Sequence, residues 1–424
     1  MLRVLHTSDW HLGQTLRDRD RADEHAAFLR WLVDTVVARA VDVVLVAGDV
    51  FDVTNPPAAA QRALYGVLAE LRRQRPSVQV VLVAGNHDSP ARLDAPSALA
   101  AELGVRIIGR ADARVLTPEA LDALVLPLRD DAGAVRAWCL AVPFLRAADV
   151  PAPDDSPKGY LAGVEALYTA LVAHADTRRA PEQALVAMGH ATVADSRADH
   201  RPEASADASD EGDEEDENEA VQRILLGGTD RLPARTFDPR LAYVALGHLH
   251  RAGRVGGRDH VRYAGSPIPL SFAERTYRHG VVLVELDGPR AARIERLEVP
   301  RVVPMVRVPA ARAPWTDALA ALEAHDFGAT PAWLEIPIAA EPRPPVDLSS
   351  RLQALLADKP VRAFRVDVEL GHVTRRAPSA AGSLDDLSRL DAQALLAEAW
   401  RLDGRAPPVE PALAALLAEL EAER

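Results

Sequence analysis

Short apolar runs alternate with stretches of helical spacing, and each run ends on a polar tip. Val43-Val44-Leu45-Val46-Ala47 and Val80-Val81-Leu82-Val83-Ala84 are unbroken, the pattern of strands buried on both faces. Residues 2–7 read as a further strand that runs into Asp9 and His11. Residues 21–40 place Phe28, Leu29, Leu32, Val36 and Val37 at helical spacing, and Pro57 opens a helix with Ala60, Leu64, Leu68 and Leu71 on one stripe. Another helix is predicted over 90–101. Strand, polar tip and helix, three times over, predict a layered α/β sheet. Later strands are expected at 136–142, 184–189, 242–247, 260–264 and 280–286, with a helix over 158–176.

After Val299-Pro300 the pattern changes. Strands at 302–308, 332–338 and 361–370 alternate with helices at 315–325 and 347–357, a second and smaller α/β unit over 300–372. Residues 373–382 form a polar linker. Ser383 then caps a helix to Leu402, closed by Gly404, and Pro411 opens a last helix to Glu423. This pair, 383–424, carries apolar stripes at Leu387, Leu390, Leu395 and Leu402, then Leu413, Leu416, Leu417 and Leu420, suited to helix-in-groove contact or to packing on their own domain. No apolar run approaches the ~18–20 residues of a membrane helix. The opening turns polar by Thr7-Ser8-Asp9, too soon for a signal peptide.

Charge first argues against a nucleic-acid enzyme, since 49 Lys and Arg face 62 Asp and Glu for a net of −13. Ten of the negatives fall between Glu203 and Glu219 with no basic residue among them, so the remaining chain carries −3. With no apolar residue in its densest part, that run within an insertion at 199–220 cannot offset its ordering entropy by burial. It is expected to be a solvated loop; the sharper reading is an acidic mimic competing with DNA phosphates or meeting a basic partner. Lys158 and Lys359 are the two lysines of the chain, so positive charge is nearly all Arg, which grips phosphate bidentately. A single cysteine, Cys139, rules out an intrachain disulfide and fits a reducing, cytoplasmic compartment.

The polar tips carry the chemistry. Asp9 and His11, Asp49, Asn86 and His87, His190, and His248 with His250 each sit at or just past the end of a predicted strand, where sites form in open α/β sheets. Carboxylate and amide oxygens suit hard divalent ions such as manganese, and imidazoles shift preference toward transition metals. Asp9-x-His11 and His248-x-His250 share i, i+2 spacing, which on a strand puts both side chains on one face. Asp49 has two oxygens and can bridge two ions, while Asn86 adds a neutral oxygen. Each fragment alone is weak, for Gly85-Asn86-His87-Asp88 can be a turn and a lone His190 a core histidine. Their order along the chain is specific.

That order resembles the five motifs of the calcineurin-like metallophosphoesterases: Asp9-x-His11, Gly48-Asp49-x-x-Asp52, Gly85-Asn86-His87-Asp88, Gly189-His190 and Gly247-His248-x-His250. His6 to Gly13, Gly48 to Asp52, Val142 to Arg146 and Tyr263 to Phe272 resemble the bacterial SbcD nuclease family more closely. The resemblance implies a layered metallophosphoesterase sandwich over 1–299, a DNA-binding capping unit over 300–372 and C-terminal helices. It implies two divalent ions, Mn2+ by preference, bridged by Asp49. One ion would lie with Asp9, His11 and His250, the other with Asn86, His190 and His248. His87 would be the general acid or charge stabiliser for the leaving oxygen. Asp52 and Asp88 would orient ligands, and His6, His25, His174 and His279 would be structural.

The implied activity is Mn-dependent cleavage of duplex DNA ends exonucleolytically and of single strands and hairpins endonucleolytically. No G-x-x-x-x-G-K-[ST] loop is present, so ATP dependence must come from another chain, by resemblance an SbcC-type coiled-coil ATPase docked by the helices of 383–424. Two copies would pair, in a heterotetramer, through helices near 57–73 and 90–101. The alternatives are a phosphoesterase for nucleotides or phosphoproteins, or a non-catalytic scaffold of the same fold.

Overall fold

Alternate residues of the strand Leu2–Thr7 face opposite sides of a sheet, and apolar packing covers both. Leu5, with Val44, Val46, Val80 and Leu82 of its parallel neighbours, packs on Phe28 and Leu32 of helix Ala22–Ala38 and Leu64 and Leu68 of helix Ala58–Gln74. Leu2, Val4, Val43 and Leu45 turn the other way, into a cluster shared with Val186, Tyr243 and Ala245 of a second sheet. This two-sided burial is why the strands are apolar without alternation. The computed structural model describes residues 1–151, 156–198, 231–340 and 344–368. The acidic segment 199–220, the linker 373–382 and the helical pair 383–424 lie outside the described residues.

The first sheet has six strands in the order Arg290–Glu298, Gly280–Asp287, Leu2–Thr7, Val43–Ala47, Gln79–Val83, Val105–Ile108. The last four run parallel, with Leu5 opposite Val44 and Val44 opposite Val80. The second sheet has seven, in the order Ser196–Ala198, Gly253–Val255, Arg258–Tyr263, Tyr243–Gly247, Ala184–His190, Val135–Ala141, Val125–Arg129. Its outer face is covered by helix Pro157–Asp176, which Ser156 caps by accepting from Gly159 N at 3.1 Å. The two sheets are joined at their buried interface by His6, whose Nδ1 lies 2.9 Å from the Tyr243 hydroxyl.

The helix expected over 90–101 is two short helices, Pro90–Asp94 and Ser97–Glu102. Pro96 between them has no N–H to continue the ladder, and Asp94 turns aside to accept from Gly109 N at 2.6 Å.

Beyond Pro300 a parallel sheet of Met305–Arg307, Ala332–Ile338 and Val361–Val368 carries helices Trp315–Ala324 and Leu348–Leu356 on one face. Its other face buries Trp333 among Leu16, Phe272, Val303 and Met305, which seats the small sheet on the larger layers. Among the described residues, no helix is long and apolar enough to cross a membrane.

Candidate metal centre

Parallel pairing brings five strand ends to one place. Leu2–Thr7, Val43–Ala47 and Gln79–Val83 end side by side in one sheet, and Ala184–His190 ends beside Tyr243–Gly247 in the other, with His190 opposite Gly247. Their tips hold Asp9, His11, Asp49, Asn86, His87, His190, His248 and His250, and the structure gathers all of them. Ligand atoms of Asp9, His11 and His250 lie within 4.8 Å of one another, and so do those of Asp49, His190 and His248. Asp49 joins the groups, its Oδ2 lying 3.5 Å from His11 Nε2 and 3.3 Å from His190 Nε2.

One expectation fails here. Asp9 and His11 do not share a strand face, because the strand ends at Thr7 and both residues take left-handed backbone, φ 53° and 44°. Asp49 (48°) and His248 (97°) do the same. Such backbone costs a non-glycine residue about 1–2 kcal/mol, so it persists where surrounding bonds impose it. Those bonds are present: Asp9 N donates to Gly48 O and His11 N to Asp49 O, both at 3.0 Å, zipping two loops together. Trp10 between them is wholly buried, its Nε1 donating to Thr7 Oγ1 (2.9 Å) and its carbonyl accepting from His25 Nε2 (3.1 Å). Gly85 permits the close approach, since a Cβ there would fall 2.1 Å from Asp49 Oδ1.

Acceptors outside the centre fix which nitrogen of each imidazole faces inward. His190 Nδ1 donates to Ala47 O at 2.8 Å, His11 Nδ1 to Asp52 Oδ1 at 3.1 Å, His250 Nδ1 to Glu274 Oε1 at 2.9 Å and His87 Nδ1 to Asp52 O at 2.8 Å. With Nδ1 tied, the neutral form of His190 would turn a lone pair at Nε2 toward Asn86 Oδ1 at 3.0 Å and Asp49 Oδ2 at 3.3 Å. His248 Nδ1 stands 2.9 Å from the same Asn86 oxygen. His11 Nε2 and His248 Nε2 are buried with no hydrogen-bond partner among the described residues. Lone pairs that converge in this way repel unless a proton or a cation lies among them. The donor set of carboxylate, amide oxygen and imidazole, with its other nitrogens already tied, fits divalent ions.

The electrostatics agree. Burial disfavours charge on His190, yet the Asp49 carboxylate outweighs it and raises the pKa to about 9. Burial is likewise outweighed at His250, raised to about 10 by Glu274. Asp49 is held ionised against its own burial by His190 and His11. His248 is pushed down to about 3 by burial and by His190. The carboxylates draw positive charge into the site, and the imidazoles supply it as protons.

Asp88 orients without joining a ligand group, whereas Asp52 both orients His11 and lies with His11 and His87 in a third group whose ligand atoms are within 4.8 Å of one another. Asp88 accepts from Val50 N (3.1 Å), Phe51 N (2.9 Å) and Gly85 N (2.8 Å), tying two tips together. Glu274 is the residue the sequence reading missed. Buried to 2 % exposure, it holds His250 through Oε1 and accepts from Leu270 N and Ser266 Oγ through Oε2, at 2.9 and 3.2 Å. It lies two residues past the Tyr263–Phe272 stretch that carried the resemblance, and its spacing from His250 follows no helix or strand period. His6, His25 and His279 bond to framework groups outside the ligand cluster, and His174 pairs with Asp122. The docking residues Leu387, Leu390, Leu413, Leu416, Leu417 and Leu420 lie outside the described residues.

Comparison with known proteins bears on the whole chain. Residues 2–252 match the family model described as calcineurin-like phosphoesterase, and residues 301–403 match one described as type 5 capsule protein repressor C-terminal domain, SbcD_C. The SbcD subunit of nuclease SbcCD from Rhodobacter capsulatus is 41% identical over 94% of each chain. Its counterpart of the same name from Escherichia coli K12 is 35% identical over 86% of this chain and 84% of its own, and that from Bacillus subtilis 32% over 73% of each. The motif order, the sandwich and the second unit after Pro300 therefore have one explanation: the chain belongs to the calcineurin-like metallophosphoesterases and, within them, to the SbcD nuclease subunits.

Proposed function

We propose that the chain hydrolyses DNA phosphodiesters in a manganese-dependent reaction, trimming duplex ends and cutting single strands and hairpins, beside a coiled-coil ATPase of SbcC type. The observation that carries this reading is the convergence of ligand atoms of Asp49, Asn86 and His190, with the buried Nε2 atoms of His11 and His248 beside them. Asp9, His11 and His250 would hold one ion, Asn86, His190 and His248 the other, and Asp49 both. Two such ions polarise a phosphodiester and supply a hydroxide nucleophile at neutral pH.

The chain's own residues do the rest. Asp49 is ionised and fixed by His87 N, which donates to its Oδ1 at 2.9 Å. His87 donates its Nδ1–H to the Asp52 carbonyl, which leaves Nε2 toward the site, and its ring lies edge-on to His11 with centroids 4.8 Å apart. As a general acid it acts in the imidazolium form, with the transferable proton on Nε2. That proton goes to the leaving oxygen of the cut strand. Mixed oxygen and nitrogen donors without thiolate favour Mn2+ over Mg2+ or structural Zn2+.

A large substrate fits better than a nucleotide or a phosphoprotein, because a second unit after Pro300 is seated on the larger layers through Trp333, packed among Leu16, Phe272, Val303 and Met305. Tyr65 and Leu99, 41 % and 72 % exposed on the helices after the second and third motifs, support pairing of two copies within a heterotetramer. That substrate and a single, buried cysteine, Cys139, support residence in the cytoplasm.

The test is Mn2+-dependent cleavage of blunt duplex and hairpin DNA by the complex with its ATPase, beside a phosphomonoester. Cleavage lost in both Asp49→Ala and His87→Ala, with little monoester turnover, supports the reading. Intact DNA with rapid monoester turnover overturns it. Deleting 383–424 should abolish co-purification with the ATPase and spare Mn2+ binding.

A further inference from the structure

A line of buried hydrogen bonds runs from the small sheet to the metal centre. Trp333, fully buried in the middle strand Ala332–Ile338, donates from Nε1 to Glu24 Oε1 at 2.9 Å. Glu24 grips Arg21 with both oxygens, 2.9 Å from Nε and 2.8 Å from Nη2. Arg21, also fully buried, donates from Nη1 to the Pro269 carbonyl (2.6 Å) and to Gln14 Oε1 (2.8 Å), and Gln14 Nε2 donates to the Leu270 carbonyl (2.7 Å). Leu270 N then donates to Glu274 Oε2, and Glu274 Oε1 accepts from His250 Nδ1, both at 2.9 Å. The guanidinium carbons of Arg21 and of Arg362, on the next strand of the small sheet, lie 5.9 and 5.7 Å from the centroid of the Trp333 ring.

A buried ion pair is poor cement, since its desolvation offsets most of its attraction, but it is demanding about geometry. Arg21 and Glu24 satisfy one another and still need the indole N–H and the Pro269 carbonyl where they stand. If the small sheet shifts, Glu24 loses a donor in a dry setting, which is costly, and the pair must move with the loop it holds. That loop, Pro267–Leu270, fixes Glu274, and Glu274 fixes the His250 ring.

We propose that Trp333 is a positioning residue for His250. The seating of the small unit sets the loop, Glu274 and the imidazole in turn, so metal affinity at the Asp9, His11 and His250 group depends on how that unit is docked. A large substrate that engages the small sheet thereby acts on the centre that cuts it. The inference rests on the two-ion reading above.

The experiment titrates Mn2+ alone into the full-length wild type, Trp333→Phe, Glu274→Gln and the double variant, by calorimetry with Mn2+ paramagnetic resonance. Glu274→Gln should weaken one of two Mn2+ equivalents about 10–100-fold, the usual effect of losing a ligand's hydrogen-bond partner. Trp333→Phe, which keeps a ring and removes the N–H, should weaken that same equivalent by a smaller factor, about 3–10-fold. The double variant should match Glu274→Gln, because the indole acts through Glu274. Unchanged affinity in Trp333→Phe, or losses that multiply in the double variant, overturn the proposal. Should Trp333→Phe fail to fold, Gln14→Leu breaks the arm of the line that runs from Arg21 to the Leu270 carbonyl, without stranding a charge, and is judged by the same two outcomes. Two equivalents unaffected by Glu274→Gln and by Asp49→Asn alike would refute the two-ion reading itself.

Discussion

A neutral histidine places one proton on one of two nitrogens, and in this centre the framework decides where. Four imidazoles are tied at Nδ1, to Ala47 O, Asp52 Oδ1, Asp52 O and Glu274 Oε1. The roles separate on that basis. His87→Asn should leave both Mn2+ equivalents bound and lower turnover about 10²–10⁴-fold, the range of a lost general acid. Asp49→Asn should lose Mn2+ itself, since Oδ2 stands between the groups. Metal content of the purified variants beside DNA cleavage rates checks both, and a His87→Asn enzyme with normal turnover would remove that residue from the reaction. The residues that converge were legible because each follows an apolar strand. Of the residues that aim them, Asp52 and Asp88 lie within the same motifs, whereas Glu274 was not legible, since it acts from 24 positions away through a fold that local spacing does not encode. Nor was the left-handed backbone of Asp9, His11, Asp49 and His248 visible, since it is imposed by bonds between loops rather than by residue type.

At the level of elements, the strands with unbroken apolar runs were found, and so were the mixed Arg258–Tyr263 and Val361–Val368, but some edge strands were missed. Val125–Arg129 contains Pro127 and lies at a sheet edge, where a missing N–H is tolerated. Arg290–Glu298 alternates charge with Ala and Ile, the composition of an edge strand protected against pairing. The partition of strands between two sheets depends on pairings far apart in sequence, such as His190 opposite Gly247, and periodicity carries no record of them. The tips of two strands are held together by Asp88, whose carboxyl is raised above the usual range by burial and by Asp49. Asp88→Asn keeps the shape but replaces one accepting oxygen with an amide donor, so that with its oxygen on Val50 N and Gly85 N the NH2 group meets Phe51 N. It should destabilise the fold by about 1–3 kcal/mol, the cost of leaving a buried polar group unsatisfied, and lower Mn2+ affinity with it. Urea unfolding with a Mn2+ titration checks this; a variant as stable as wild type would mean those N–H groups are satisfied in another way.

For the whole molecule, net charge was a poor guide and its placement a better one, and the same holds for protons. Burial lowers His6 to about 3 and His25 and His279 to about 4, so they are neutral in the fold. An unfolded chain takes up those protons below pH 6.5 and the fold does not, so stability present above 6.5 is lost as pH falls, about 1.4 kcal/mol per pH unit for each histidine. Urea midpoints should fall from pH 7 to pH 5, and His25→Gln should flatten the slope. His190 and His250 run the other way. Their raised values, about 9 and 10, mean that protonation stabilises the ion-free fold fully below 6.5 and that this support is lost as pH rises through 9 and 10. A bound ion at a hundredfold excess over its Kd adds about 2.7 kcal/mol, and it must displace those protons to bind. Chelation should therefore lower the melting temperature by several degrees, and by more at pH 9 than at pH 6. The three neutral histidines affect both forms alike and cancel from the comparison. Melting in Mn2+ and in chelator at the two pH values decides the matter: an equal drop at both would mean that ions and imidazole protons do not compete for the same carboxylates.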